Sequence, residues 1–205
     1  MNEQIKVFLL LFLQKKKAFF FEKKKQKTFV ILGWILAGGG AQAAPVYNAA
    51  GALVMPAGYR EWVFLSAGID MNYRDRAPMD GGSMFDNVFV DPASWQAFKA
   101  TGRWPDGTML VKEDRGGSSH GSINKHGQFQ TAELMGLEVH VRDTARFKGG
   151  WGFFAFDSEK PAGLIPAGAS CYACHGAHGA VQTTFTQFYP TALPIARKAG
   201  NYEEK

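Results

Sequence analysis

The residues best equipped for chemistry are Cys171, Cys174 and His175, in the run Cys171-Tyr172-Ala173-Cys174-His175. Two thiols separated by two residues and followed at once by an imidazole form the attachment signature of a c-type haem. On one helical turn both sulfurs reach the vinyl groups of a porphyrin while the next imidazole turns under the iron, which makes His175 the proximal ligand. The chain has only two cysteines, so no second pair exists to complete a zinc site. A thioredoxin-like redox pair and a local disulfide are the competing readings of the same spacing. A redox pair belongs at the end of a strand early in a βαβ unit, whereas this pair lies in a Gly/Ala-rich segment near the C-terminus.

Haem attached in this way needs a compartment and a scaffold. Thr28 to Gly40 is a short apolar run behind the basic cluster Lys23-Lys24-Lys25-Gln26-Lys27, and it ends in the small-x-small pattern Ala41-Gln42-Ala43. That is the layout of a secretory signal peptide cleaved after Ala43, and the run is short for an uncleaved membrane anchor. A second apolar-basic block, Val7 to Lys17, precedes it and reads as an extended leader or an unused upstream start. Residues 1–43 are therefore expected to be the leader and residues 44–205 a single haem domain. The leader holds 8 of the 23 basic residues and 2 of the 18 acidic ones, leaving 15 basic and 16 acidic in the mature part. Near-neutral charge implies neither nucleic acid nor an anionic membrane surface as partner. Export combined with a haem-attachment motif points to the bacterial periplasm.

Beyond Ala44 the chain reads as strand after strand. Tyr59–Ile69 is rich in aromatic and β-branched residues, and Met84–Val90 follows after a Gly-containing loop. Asp91 and Pro92 are placed as N-cap and first-turn residue of a short helix, Ala93–Ala100. Asp106-Gly107 is a turn before a strand over Thr108–Glu113, and the polar stretch Arg115–Gly127 reads as a loop. Leu134–Val141 alternates, with Met135, Leu137, Val139 and Val141 on one side and Gly136, Glu138 and His140 on the other. Trp151–Phe156 is an almost continuous apolar run, as for a strand buried on both faces. Thr191–Lys198 is helical but holds Pro194, which leaves its start open. The pattern predicts an α+β fold: a central antiparallel sheet of about five strands, flanking helices, and the haem-binding helix near the C-terminus.

With its order of elements, the chain resembles the cytochrome P460 family. The resemblance rests on Tyr59-Arg60-Glu61-Trp62, Phe89-Val90-Asp91-Pro92, Asp106-Gly107-Thr108 with Val111-Lys112-Glu113, Gly136-Leu137-Glu138, Cys171 to His175 and Phe188-Tyr189-Pro190. It implies a periplasmic haem oxidoreductase that oxidises hydroxylamine, alone or with nitric oxide, to nitrous oxide or nitrite, passing electrons to a c-type cytochrome. The alternative is a non-catalytic nitric-oxide-binding or electron-transfer cytochrome of the c′-beta type. The resemblance further implies haem c held by Cys171 and Cys174, a covalent bond from Lys112 to a porphyrin meso carbon, Glu138 as proton acceptor over the distal face, and a homodimer.

Read without the resemblance, a strand lysine such as Lys112 is most often a solvated outward side chain, although it shares a face with the apolar Leu110. Glu138 faces either solvent or a cavity. His140, two residues on, is expected in water, and His178 is expected to be an exposed neighbour of the haem motif. His120, His126, Met109 and Met135 are weaker candidates for a sixth iron ligand. Arg60 is a candidate partner for a propionate, and Asp143 one for a supporting hydrogen bond. Asp86 stands where hydroxylamine-oxidising relatives often have an arginine.

Overall fold

Runs of β-branched and aromatic residues with a two-residue apolar period build five strands in the computed structural model, which describes residues 44–71, 83–121 and 123–205. They are β1 (Val63–Ile69), β2 (Met84–Val90), β3 (Met109–Ser118), β4 (Phe129–Arg142) and β5 (Trp151–Phe156). Each pairs antiparallel with its neighbour in sequence, giving the order β1-β2-β3-β4-β5. Three helices complete the α+β architecture: α1 (Pro92–Thr101), α2 (Ser170–His178) and α3 (Leu193–Lys198). The signal peptide expected over residues 1–43 lies outside the described residues.

Alternation gives the sheet two faces with different tasks. One carries Val111, Leu137, Val139, Val141 and Phe154 into a core closed by Leu53, Tyr59 and Phe147. Val111, Val139 and Val141 are completely buried, each stabilising the fold by roughly 1.5–3 kcal/mol. A slip of one residue would bring all three to the other face, so burial fixes the register. That other face packs Leu110 and Phe153 against Phe98 of α1, Ala196 of α3, Trp104 and Val181. Here the packing is incomplete, and the site lies in the gap.

Asp91 ties the first helix to the sheet. One carboxylate oxygen accepts from Ser94 N at 2.8 Å, capping α1, and the other accepts from Met109 N at 3.1 Å, the first residue of β3. Pro92 sits in the first turn, where a missing N–H costs nothing. The same reasoning settles α3, whose start at Leu193 puts Pro194 within its first turn.

Several boundaries differ from those the sequence predicts. Tyr59–Glu61 forms a 3-10 turn, so the first strand opens only at Val63. The stretch predicted as a loop from Arg115 is strand as far as Ser118, because Gly116 and Gly117 are close-packed rather than loose. A Cβ on Gly117 would come within 2.8 Å of Ser83 O and 3.0 Å of the Phe85 ring. β4 correspondingly starts at Phe129, and its first half projects past the packed part of the sheet. Met135 falls where the β3–β4 register shifts and is 43% exposed, although Leu137 and Val139 beyond it are buried.

Candidate haem site

The incomplete face of the sheet forms one wall of a cavity of about 540 Å³. Cross-strand pairing puts Asp86 opposite Asp114, Val88 opposite Lys112, Lys112 opposite Glu138, and Leu110 opposite His140. Residues two apart on a strand share a face, so this register alone brings Asp86, Val88, Leu110, Lys112, Glu138 and His140 to the same surface. Helix α2 supplies the facing wall with Cys171, Cys174 and His175.

Spacing on α2 explains that grouping: positions 171, 174 and 175 stand three and four residues apart and lie on one helical face. Tyr172 points the other way and fixes the roll of the helix. Its ring stacks on Phe153 of β5 at 4.3 Å, and its hydroxyl donates to Ile165 O at 3.1 Å and accepts from Phe153 N at 3.3 Å. Both thiols are half-buried and unpaired, so there is no disulfide between them.

His175 is oriented by a strained turn. Its Nδ1 lies 2.9 Å from the carbonyl oxygen of Thr183. A carbonyl only accepts, so Nδ1 carries the proton and Nε2 is left with a free lone pair. Burial holds the imidazole pKa below its usual value, although the Thr183 bond opposes the shift, which favours the neutral ring that a metal requires. Gln182 and Thr183 both have positive φ, 47° and 62°, at roughly 1–3 kcal/mol each. The Gln182 side chain stabilises this turn by accepting from Trp104 N at 2.6 Å and donating to Trp104 O at 3.3 Å. Gly179 makes it sterically possible, since a Cβ there would lie 2.3 Å from Thr183 C.

Lys112 is a half-buried ammonium held among carboxylates. Its Nζ lies 2.6 and 2.8 Å from the two Asp114 carboxylate oxygens and 3.0 Å from Asp86 Oδ1. Burial pulls its pKa down, but the Glu138 and Asp114 carboxylates outweigh this and the net shift is upward. Asp86, 5% exposed, sits between the Lys112 ammonium, its ion-pair partner, and the neighbouring Asp114 carboxylate. Burial pushes its pKa up to about 6 against the pull of Lys112.

The structure thus brings together Lys112, Glu138, Cys171, Cys174 and His175 around one cavity. It also brings in His140, for which the sequence predicts exposure to water. The His140 ring stacks on Phe153 at 4.1 Å and meets His175 edge-on at 4.8 Å. Burial, reinforced by His175 and Lys112, drives its pKa well below 6.5. Parity with Glu138 on an alternating strand was the signal for this placement. Asp86 was legible in the same way, being two residues from Val88.

Other candidates fall elsewhere. Arg60 is on the opposite face, where its Nε donates to Glu113 Oε2 at 2.7 Å, in a cluster with Tyr59 and Arg115. Asp143 accepts from Ala145 N and Arg146 N at 3.1 and 2.9 Å and shapes the turn before β5. Met109 is buried in the core of the opposite face, Met135 is exposed, and His120, His126 and His178 are exposed away from the cavity.

A haem fits this donor set. Two free thiols on one helical face border the cavity, an imidazole presents an unprotonated Nε2, and Val88, Leu110 and Phe185 add apolar wall. Fold and site together define a c-type haem protein. Residues 56–186 match the family model for cytochrome P460, and the chain belongs to that family. No curated protein matches the chain. Among the described residues no helix is long and apolar enough to cross a membrane.

Proposed function

We propose that the protein is a periplasmic haem c oxidoreductase that oxidises hydroxylamine at an open distal iron site, alone or with nitric oxide, yielding nitrous oxide or nitrite. The observation that carries this reading is Glu138, a carboxylate on the cavity wall directly across the ladder from Lys112. Haem c, when bound, supplies the redox-active iron and the electron path out of the site. The rest is done by side chains of the chain itself. Cys171 and Cys174 would hold the macrocycle by thioether bonds, and His175 Nε2 would ligate the iron, while Thr183 keeps its ring in one tautomer and orientation. Lys112 Nζ would bond to a porphyrin meso carbon, the amine losing one N–H and the carbon its C–H, with the two electrons taken by a peroxide-class oxidant.

Oxidation of an N–H and O–H compound releases protons with its electrons, and an acceptor within the cavity lowers the barrier. Glu138 is that acceptor. Apolar wall from Val88, Leu110 and Phe185 limits competing water. Electrons leave to an external c-type cytochrome, the active form is a homodimer, and residues 1–43 direct export before they are removed. The test is steady-state hydroxylamine oxidation by the haem-loaded protein with an artificial electron acceptor. Absence of turnover with an iron that still binds hydroxylamine would overturn the reading.

A further inference from the structure

One side chain of the cavity wall has no part in the chemistry above. Asp86 is 5% exposed, lines the cavity, and is held between the Lys112 ammonium and the Asp114 carboxylate. Its one ionic partner, Lys112 at 3.0 Å, is shared with Asp114 at 2.6 Å. Lys112 is the one Lys or Arg among the described residues lining this cavity, and Asp86, Asp114 and Glu138 surround it. Three carboxylates about one ammonium leave an excess of negative charge. Bonding of Lys112 to a porphyrin carbon would make its nitrogen a weakly basic arylamine and remove the one ammonium, so each carboxylate that stays ionised would face the cavity without a counter-charge.

We infer that the cavity selects its ligands by charge, admitting small neutral or cationic nitrogen compounds such as hydroxylammonium and rejecting anions, with Asp86 as the selectivity-determining residue. The inference deepens the reading of an open haem site and rests on it. A buried carboxylate acts through a medium less polarisable than water, so its field reaches a small anion with little screening. The same repulsion speeds the departure of an anionic product such as nitrite. Positive charge on the wall, the usual device for holding an anion, is here consumed by its own neighbours.

The experiment titrates the ferric holoprotein and Asp86→Asn with azide, an anion, and with nitric oxide, a neutral ligand, following the absorption spectrum. Azide is expected to bind about three- to tenfold more tightly to the variant, the effect of one unit charge across a partly wet cavity. Nitric oxide affinity stays unchanged. Asp86→Ser, also neutral but smaller, should tighten azide binding by a similar factor while nitric oxide affinity stays the same, so the measurement stands even if one of the two variants does not fold. Azide affinity in both variants equal to that of the unaltered protein overturns the inference while the open site stands. A ferric iron that binds neither ligand overturns the open site and the inference together.

Discussion

Lys112 of β3 and Glu138 of β4 are direct cross-strand partners. The residue proposed to bond the porphyrin edge and the residue proposed to take the proton are therefore placed by one ladder contact rather than by two independent loops. Side chains at such a position have Cβ atoms about 4.5–5.5 Å apart, so a shift of either strand moves both. The valines that lock the register on the opposite face thereby also hold the chemistry in place.

The proposed covalent bond to Lys112 is directly measurable. Under denaturing mass spectrometry of a tryptic digest, haem should stay bonded to the peptide carrying Lys112 as well as to the one carrying Cys171 and Cys174. Lys112→Ala should keep the thioether-bound haem and lose the second attachment. Haem found on the cysteine peptide alone in the unaltered protein removes the bond from the scheme.

Glu138→Gln keeps the shape of the side chain and abolishes its basicity. Hydroxylamine turnover should fall by about 100-fold or more, the usual contribution of a positioned proton acceptor. Haem content and the spectrum of the hydroxylamine adduct should be unchanged. Turnover within a factor of two of the unaltered protein would move the acceptor role to another group.

Gly179→Ala tests the turn that orients the proximal imidazole. A Cβ within 2.3–2.6 Å of the Thr183 backbone forces that turn open. The expected cost is about 1–3 kcal/mol of stability, as for overpacking elsewhere. The reduction potential of the haem should shift as well, because the Thr183 carbonyl no longer fixes Nδ1. A thermal melt combined with a redox titration reads both, and an unchanged potential would separate the turn from the iron.

Two buried acids pull stability in opposite directions with pH. Asp86 has a folded pKa raised to about 6 from 3.8, so the native state holds its proton more tightly than the unfolded chain does. Its charged form costs stability above that range, and the cost is relieved as pH falls through 6 towards 3.8. Glu113 is the reverse. Burial would raise its pKa, but hydrogen bonds from Arg115, Tyr59 and Arg60 win and lower it, so its contribution is lost on acidification below its usual 4.5. Melting curves should therefore show stability rising from pH 7 towards 5, and Asp86→Asn should flatten that rise. A rise of equal size in the variant would assign it to another group.

Much of this architecture was legible in the residues themselves. The alternation of Leu137, Val139 and Val141 defined a strand and its buried side, and Asp91-Pro92 marked a helix start that the Ser94 and Met109 bonds explain. What was hidden depended on contacts distant in sequence. Gly116 and Gly117 look like loop residues until Ser83 and Phe85 are seen packed against them. Arg60 looked available to a propionate, but a strand facing the other way supplies Glu113. Nothing local to His140 reveals that Phe153 and His175 will enclose it.

The sequential pairing of all five strands bears on the order in which the site comes into being. A sheet made only of neighbour-to-neighbour hairpins closes short chain segments, the kind of topology that forms quickly. Lys112, Glu138 and Asp86 can thus be in position before the later segment with Cys171 and Cys174 is ordered. Haem would then be attached against a surface that already exists, as a late part of the core. A fault in the β3–β4 hairpin would in that case appear as a failure of cofactor maturation rather than as a slow enzyme.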